Sequence, residues 1–225
     1  MTTANALRMA VHQLLQDLWE RELVNFVNPI IVLGDTITWR SPTPLERFVD
    51  FADYPTIRTY RRWAEAGEYS ARFSDGALLQ IRYRVAKGQI SAHRLAYVPC
   101  PYRIDQKDQD DLEKNVPMSE VLDCYANNPH DDITMQTAIR FDFDPGAAAE
   151  GHPSTHLTLN VASCRIACES PMAPAAFVRF VFQNFYRDCW TQHIAFFEAL
   201  PQDDMPSTVT DDERGHPHIA WRSTR

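Results

Sequence analysis

The residues best suited to chemistry lie in one stretch, Ile139 to Asn160, which reads IRFDFDPGAAAEGHPSTHLTLN. Arg140, Asp142 and Asp144 alternate with Ile139, Phe141 and Phe143, and His156, Thr158 and Asn160 alternate with Leu157, Leu159 and Val161. Strand side chains point to opposite faces with a period of two. Paired antiparallel, these two runs bury one apolar face and gather Arg140, Asp142, His156 and Asn160 on the other. His152 lies in the connecting loop, and His93-Arg94 on an earlier run can add to the same set. Histidine exchanges protons near neutral pH. A carboxylate beside it fixes its tautomer and raises its basicity, and arginine holds a phosphate or carboxylate in a forked contact. This combination suits metal-independent phosphodiester chemistry. His152 and His156 exchange protons, Asp142 orients a histidine and Arg140 meets the developing charge. His93, Arg94 and Asn160 are the candidates for binding substrate.

The same residues admit two other readings. Asp142, Asp144, His152 and His156 are legal metal ligands, but their spacing matches no metal motif and no HExxH or CxxC stands nearby. No metal and no other cofactor is therefore expected. Alternatively, Arg140, Asp142 and His156 form a purely structural polar network, since the solvent side of an antiparallel sheet often carries such groups.

Composition narrows the classes. The chain has 225 residues with 44% hydrophobic and 11% aromatic, enough for a full core in one sizeable domain. No apolar run approaches the roughly 18 residues of a membrane span, and the charged N-terminal pattern is unlike a signal peptide. Cys100, Cys124, Cys164, Cys168 and Cys189 are odd in number and scattered, which argues against a disulfide framework and for a cytoplasmic protein. A formal net charge of −8 disfavours a broad nucleic-acid surface. A local basic patch from Arg58, Arg61 and Arg62 with Arg82 and Arg84 stays open, against the plainer reading of a solvated helix face for the first three. GxxxxGK[ST], GxGxxG and GxSxG are absent, which speaks against ATPase, dehydrogenase and α/β-hydrolase chemistry.

The elements that must position these groups follow from periodicity and punctuation. Residues 3–24 read as an amphipathic helix, and 30–39 as a hairpin turning at Gly34-Asp35. Helices are expected over 44–52 and 54–66, the second ended by Gly67. Residues 69–98 read as an antiparallel meander with turns at 74–76 and 87–88, closed by Pro99 and Pro101. The acidic stretch 103–116 is expected as a loop with at most one helical turn, and 118–125 as a short helix followed by a turn at 127–130. Long strands are expected over 134–144 and 156–161, then 165–168, and one large helix from Pro174 to Leu200. The fold class is α+β: an antiparallel sheet of about six to eight strands packed on N- and C-terminal helices. Residues 1–200 form a single domain, and 201–225 a polar, loosely ordered tail.

HRLAYVPCPYR at 93–103, IRFDFDPG at 139–146, HPSTHLTLN at 152–160 and PAAFVRFVFQNFY at 174–186 together resemble an uncharacterised bacterial family, domain of unknown function 2290 (DUF2290). That resemblance covers roughly residues 5–200 and implies no activity by itself. A strand with Arg140 and Asp142, then His152-Pro153 and His156, is also similar to the short TumE-type toxins, which are presumed RNA-cleaving. That likeness implies a toxin-like or phage-defence ribonuclease using Arg140, Asp142, His152 and His156. The alternative is a non-catalytic subunit whose polar cleft binds another protein, encoded nearby, or a nucleotide or RNA.

Overall fold

The apolar steps Leu7, Val11, Leu14, Leu15 and Leu18 place one greasy stripe along α1 (Ala4–Glu20), whose first turn is capped by the Thr3 hydroxyl accepting from Ala6 N–H. The computed structural model describes residues 3–41, 56–114, 116–126, 133–202 and 205–221. The helix expected over 44–52 and the turn expected at 127–130 lie outside the described residues. After α1 come β1 (Phe26–Val27), β2 (Ile30–Leu33) and β3 (Thr36–Trp39), then α2 (Ile57–Ala66), capped by Thr56 and ended by left-handed Gly67. β4 (Ala71–Arg72), β5 (Leu78–Ala86) and β6 (Gln89–Val98) follow, then α3 (Gln106–Glu113) and α4 (Met118–Ala126). β7 (Ile139–Phe143), β8 (Thr155–Leu159) and β9 (Arg165–Ala167) complete the strands, and α5 (Pro174–Phe185), α6 (Arg187–Gln192), α7 (Ile194–Ala199) and α8 (Asp211–Arg214) close the chain.

The strands form one antiparallel sheet in the order β1-β4-β5-β6-β7-β8-β9, with the β2–β3 hairpin joined to β5 through β3. The protein is thus α+β, as its pattern of helices, strands and helices predicts. One face is the core. Leu79, Ile81, Tyr83, Leu95, Tyr97, Phe141 and Leu157 meet α1 and the Phe177, Val178, Val181 and Phe182 stripe of α5. Phe141 makes edge contacts with Phe177 and Phe180 at centroid distances of 6.3 and 5.0 Å. Each fully buried aromatic of this kind contributes roughly 1.5–3 kcal/mol through burial.

Four expectations are corrected. The long helix from Pro174 to Leu200 is three helices, interrupted at Tyr186 (φ −129°, ψ 56°) and His193 (φ −112°, ψ 26°). Tyr186 is held by its surroundings: its hydroxyl donates to Asp75 at 2.9 Å and its ring stacks on Phe73 at 4.5 Å. The strand expected to begin at Thr134 begins at Ile139, because the facing segment holds Pro99 and Pro101, which lack ladder donors. Residues 106–113, expected as a loop with at most one turn, form α3, capped by Asp105 accepting from Asp108 N–H and anchored by buried Leu112. Residues 205–221 are tied to the sheet rather than loose. Ile219 forms a parallel bridge with Cys168, Thr208 N–H donates to Glu169 O, and Trp221 lies edge-on to Phe141 at 5.7 Å.

Candidate functional site

The two key runs pair as their alternation requires. β7 and β8 are antiparallel neighbours, with Asp142 directly opposite His156 and Arg140 opposite Thr158. The register extends this across the sheet. One row reads Arg82 (β5), Arg94 (β6), Asp142 (β7), His156 (β8), and the next reads Gln80, Ala96, Arg140, Thr158, Arg165 (β9). Residues directly opposite on antiparallel strands share a face and lie close enough to interact. This is the face turned away from α5.

Asp142 is the hub. It is 4% exposed. Its Oδ2 accepts from Arg140 Nε at 2.6 Å and lies 3.5 Å from His156 Nε2, and its Oδ1 lies 3.5 Å from Arg94 Nε. Burial alone would push its carboxyl up. The His156 imidazole and the Arg140 and Arg94 guanidiniums overcome that, and the group is held below the ordinary carboxylate value. His156 is oriented from behind: its Nδ1–H donates to Pro153 O at 2.8 Å. A carbonyl only accepts, so Nδ1 carries a hydrogen and Nε2 is the nitrogen that faces Asp142. The Thr158 hydroxyl and Arg165 Nε are enclosed and have no hydrogen-bond partner among the described residues.

His152 reaches the cluster from the loop. A turn closed by hydrogen bonds between Ala149 and His152, with Gly151 at φ +69°, brings its ring to 4.9 Å from that of His156. Its partial burial, with the positive charges of Arg165 and His156, lowers its pKa and favours the neutral ring.

The structure therefore brings together Arg140, Asp142, His152, His156 and Arg94. It separates three other candidates. His93 points to the opposite, core face, where its Nε2 accepts from Met172 N–H at 2.9 Å and its ring lies edge-on to Tyr83. Burial pushes its pKa down to about 4. Asn160 lies beyond the end of β8 in a left-handed conformation (φ 59°) and is exposed, away from Asp142. Asp144 leaves the sheet to accept from Gly146 N–H. Of the possible basic patch, Arg61 pairs with Glu65 and Asp123 while Arg58 and Arg62 are exposed on α2. Arg84 lies 3.5 Å from Asp35. Arg82 alone joins the row, its guanidinium 5.7 Å from the ring of Trp39, whose indole N–H donates to buried Glu68.

Arg165 and Thr158 are members of the face that residue types alone did not single out. The usable signal is parity: once β8 pairs with β9, Arg165 must share a face with Thr158, and Thr158 shares one with His156. Among the described residues no group of three His, Cys, Asp or Glu is placed to hold a metal ion, and none of their helices is long and apolar enough to cross a membrane.

Neither a curated protein nor a solved structure matches the chain. The family described as "Uncharacterized conserved protein (DUF2290)" matches residues 23–221, nearly the whole length, and the chain belongs to that family.

Proposed function

We propose that the sheet face carrying Arg94, Arg140 and Arg165 binds a phosphate group of a nucleotide or an RNA strand. One observation carries this reading: three guanidiniums on neighbouring strands converge around Asp142. They belong to Arg94, Arg140 and Arg165, with the rings of His152 and His156 beside them, in a chain whose net charge is −8. Like charges on neighbouring strands oppose folding, and an anion seated among them relieves that opposition. Guanidinium groups suit phosphate in particular, because their fixed donor fork matches its oxygens.

The geometry also divides the labour. Asp142, Arg140 and His156 are buried and turn their polar atoms toward one another, so they are positioning residues. Both ring nitrogens of His156 are directed at protein oxygens. Arg94 is half exposed and His152 and Arg165 partly so, and these meet the ligand. The test is fluorescence anisotropy of a short labelled RNA with the purified protein over a salt series. Binding should weaken with salt, and Arg94→Ala and Arg165→Ala should each reduce the logarithmic salt slope by about 0.7–1. No RNA or nucleotide binding at low salt, or binding indifferent to both substitutions, rejects the reading.

A second reading, a metal-independent ribonuclease of toxin-like or phage-defence kind, is favoured by the closeness of the two imidazole rings. His152 is then the proton carrier, and His156, held by Asp142, tunes it. Cleavage of labelled RNA in excess chelator should be lost in His152→Ala, with RNA binding retained. Cleavage unchanged in that variant, or absent from the native protein, rejects it.

A further inference from the structure

A second feature of the same face lies where β6 and β7 part. Their ladder ends at Tyr97–Ile139 and resumes only as an isolated bridge between Tyr102 and Ile133. Between these points Pro99 and Pro101 supply no N–H, and residues 135–138 have no strand partner among the described residues. Residues 136–138 of this stretch border an opening. That opening is a groove of about 220 Å³. Tyr60 and Trp63 of α2, each 3% exposed, lie at its inner wall, Val98 and Ala138 lie on its sheet side, and Gln136 and Asn160, both exposed, border it. Ala138 stands two residues from Arg140 along one chain, so the groove begins about 7 Å from the arginine row on the same face.

We propose that this groove holds the heterocyclic base of a nucleotide whose phosphate lies on the arginine rows. The inference rests on the phosphate reading above and adds the ligand's other half. A planar base fits a slot of about 220 Å³, and its ring edge needs donors and acceptors. Those are supplied by the side-chain amides of Gln136 and Asn160, two residues that border the groove. A free phosphate or a phosphorylated side chain has no group to fill that space. Base selectivity is thereby assigned to Gln136 and Asn160, and phosphate affinity to Arg94 and Arg165.

The experiment is calorimetric titration of the full chain with nucleoside monophosphates, free nucleosides and ribose phosphate. The proteins compared are the native form, Thr137→Trp, and the double variant Arg94→Ala/Arg165→Ala. Thr137 is an exposed residue of the groove wall, so the bulky replacement fills the groove without entering the core. An unchanged urea midpoint confirms that the fold survives. The expected result is that monophosphates bind about tenfold or more tighter than ribose phosphate. Thr137→Trp should erase that advantage and leave ribose phosphate affinity intact. Equal affinity for monophosphates and ribose phosphate overturns the base groove while the phosphate reading stands. Nucleosides that bind the native protein, fail on Thr137→Trp and ignore the double arginine variant support the groove, and monophosphates equally indifferent to the arginines overturn the phosphate reading alone. No binding of nucleosides or monophosphates overturns both.

Discussion

His93 and His156 sit on opposite faces of one sheet at nearly equal depth, 3% and 2% exposed. His93 is surrounded by the rings of Tyr83 and Phe143, and its Nε2 accepts from a backbone N–H. Such a site suits only the neutral ring, and burial drives the pKa to about 4. His156 donates to a carbonyl and turns its other nitrogen to a carboxylate. Depth alone therefore does not decide what a histidine does. The groups that meet each ring nitrogen decide it, and the pleat of the sheet decides which groups those are.

The strongest challenge to this contrast is removal of the carboxylate. Asp142→Asn keeps the volume and removes the carboxylate that Arg140, Arg94 and His156 share. Breaking a buried ion pair from one side costs about 3–5 kcal/mol, so the urea midpoint should fall by a large part of the protein's total stability. A midpoint unchanged would mean that the network is not holding the face together. Because the Asp142 carboxyl is held below its ordinary value, its contribution is fully present above the unfolded pKa near 3.9 and is lost as pH falls through the lower folded value.

The second test separates the two faces by pH. His93 has a folded pKa near 4 and an unfolded one near 6.5. Between those values the unfolded chain binds a proton that the native one refuses. Stability should therefore fall with acidification across that window by about 1.4 kcal/mol per pH unit. His93→Gln, whose side-chain carbonyl can accept from Met172 N–H, should flatten this limb and leave the lower-pH loss due to Asp142. Urea midpoints measured from pH 7 downwards decide it. An acid limb of the same slope in His93→Gln would place the titrating group elsewhere.

The sequence made the contrast only partly legible. Strict alternation over 139–143 and 156–159 determines which residues share a face, and pairing these runs places Asp142 opposite His156. Parity also sets His93 with Leu95 and Tyr97 on the core side. Residue type nevertheless groups it with Arg94, its neighbour on the other side of the pleat. Arg165 escaped because β9 has only three residues, too few for a period to show. The breaks in the last helix were hidden for another reason. Nothing local in the sequence around Tyr186 signals a stop; the anchor is Asp75, on a distant turn.

Next in size is His152→Ala. This loop side chain is partly exposed, and its removal should move the urea midpoint little, within about 0.5 kcal/mol, as substitutions outside special contacts usually do. RNA cleavage, if the protein performs it, should nonetheless vanish. A large loss of stability would instead make His152 a structural prop of the loop.

A similarly small effect on stability is expected at Arg94, and it is the most discriminating. Its guanidinium is half exposed and 3.5 Å from Asp142, a distance and exposure at which an ion pair is worth about 0–1 kcal/mol. Arg94→Ala should therefore leave the fold almost untouched, since Arg140 and His156 still face the carboxylate. The same variant should weaken RNA binding at low salt and flatten its salt dependence. Small cost in folding with large cost in binding is the signature of a residue placed for a ligand. If the costs are reversed, with a destabilised fold and unchanged binding, the polar face is a scaffold like the core face behind it, differing only in the chemistry of its contacts.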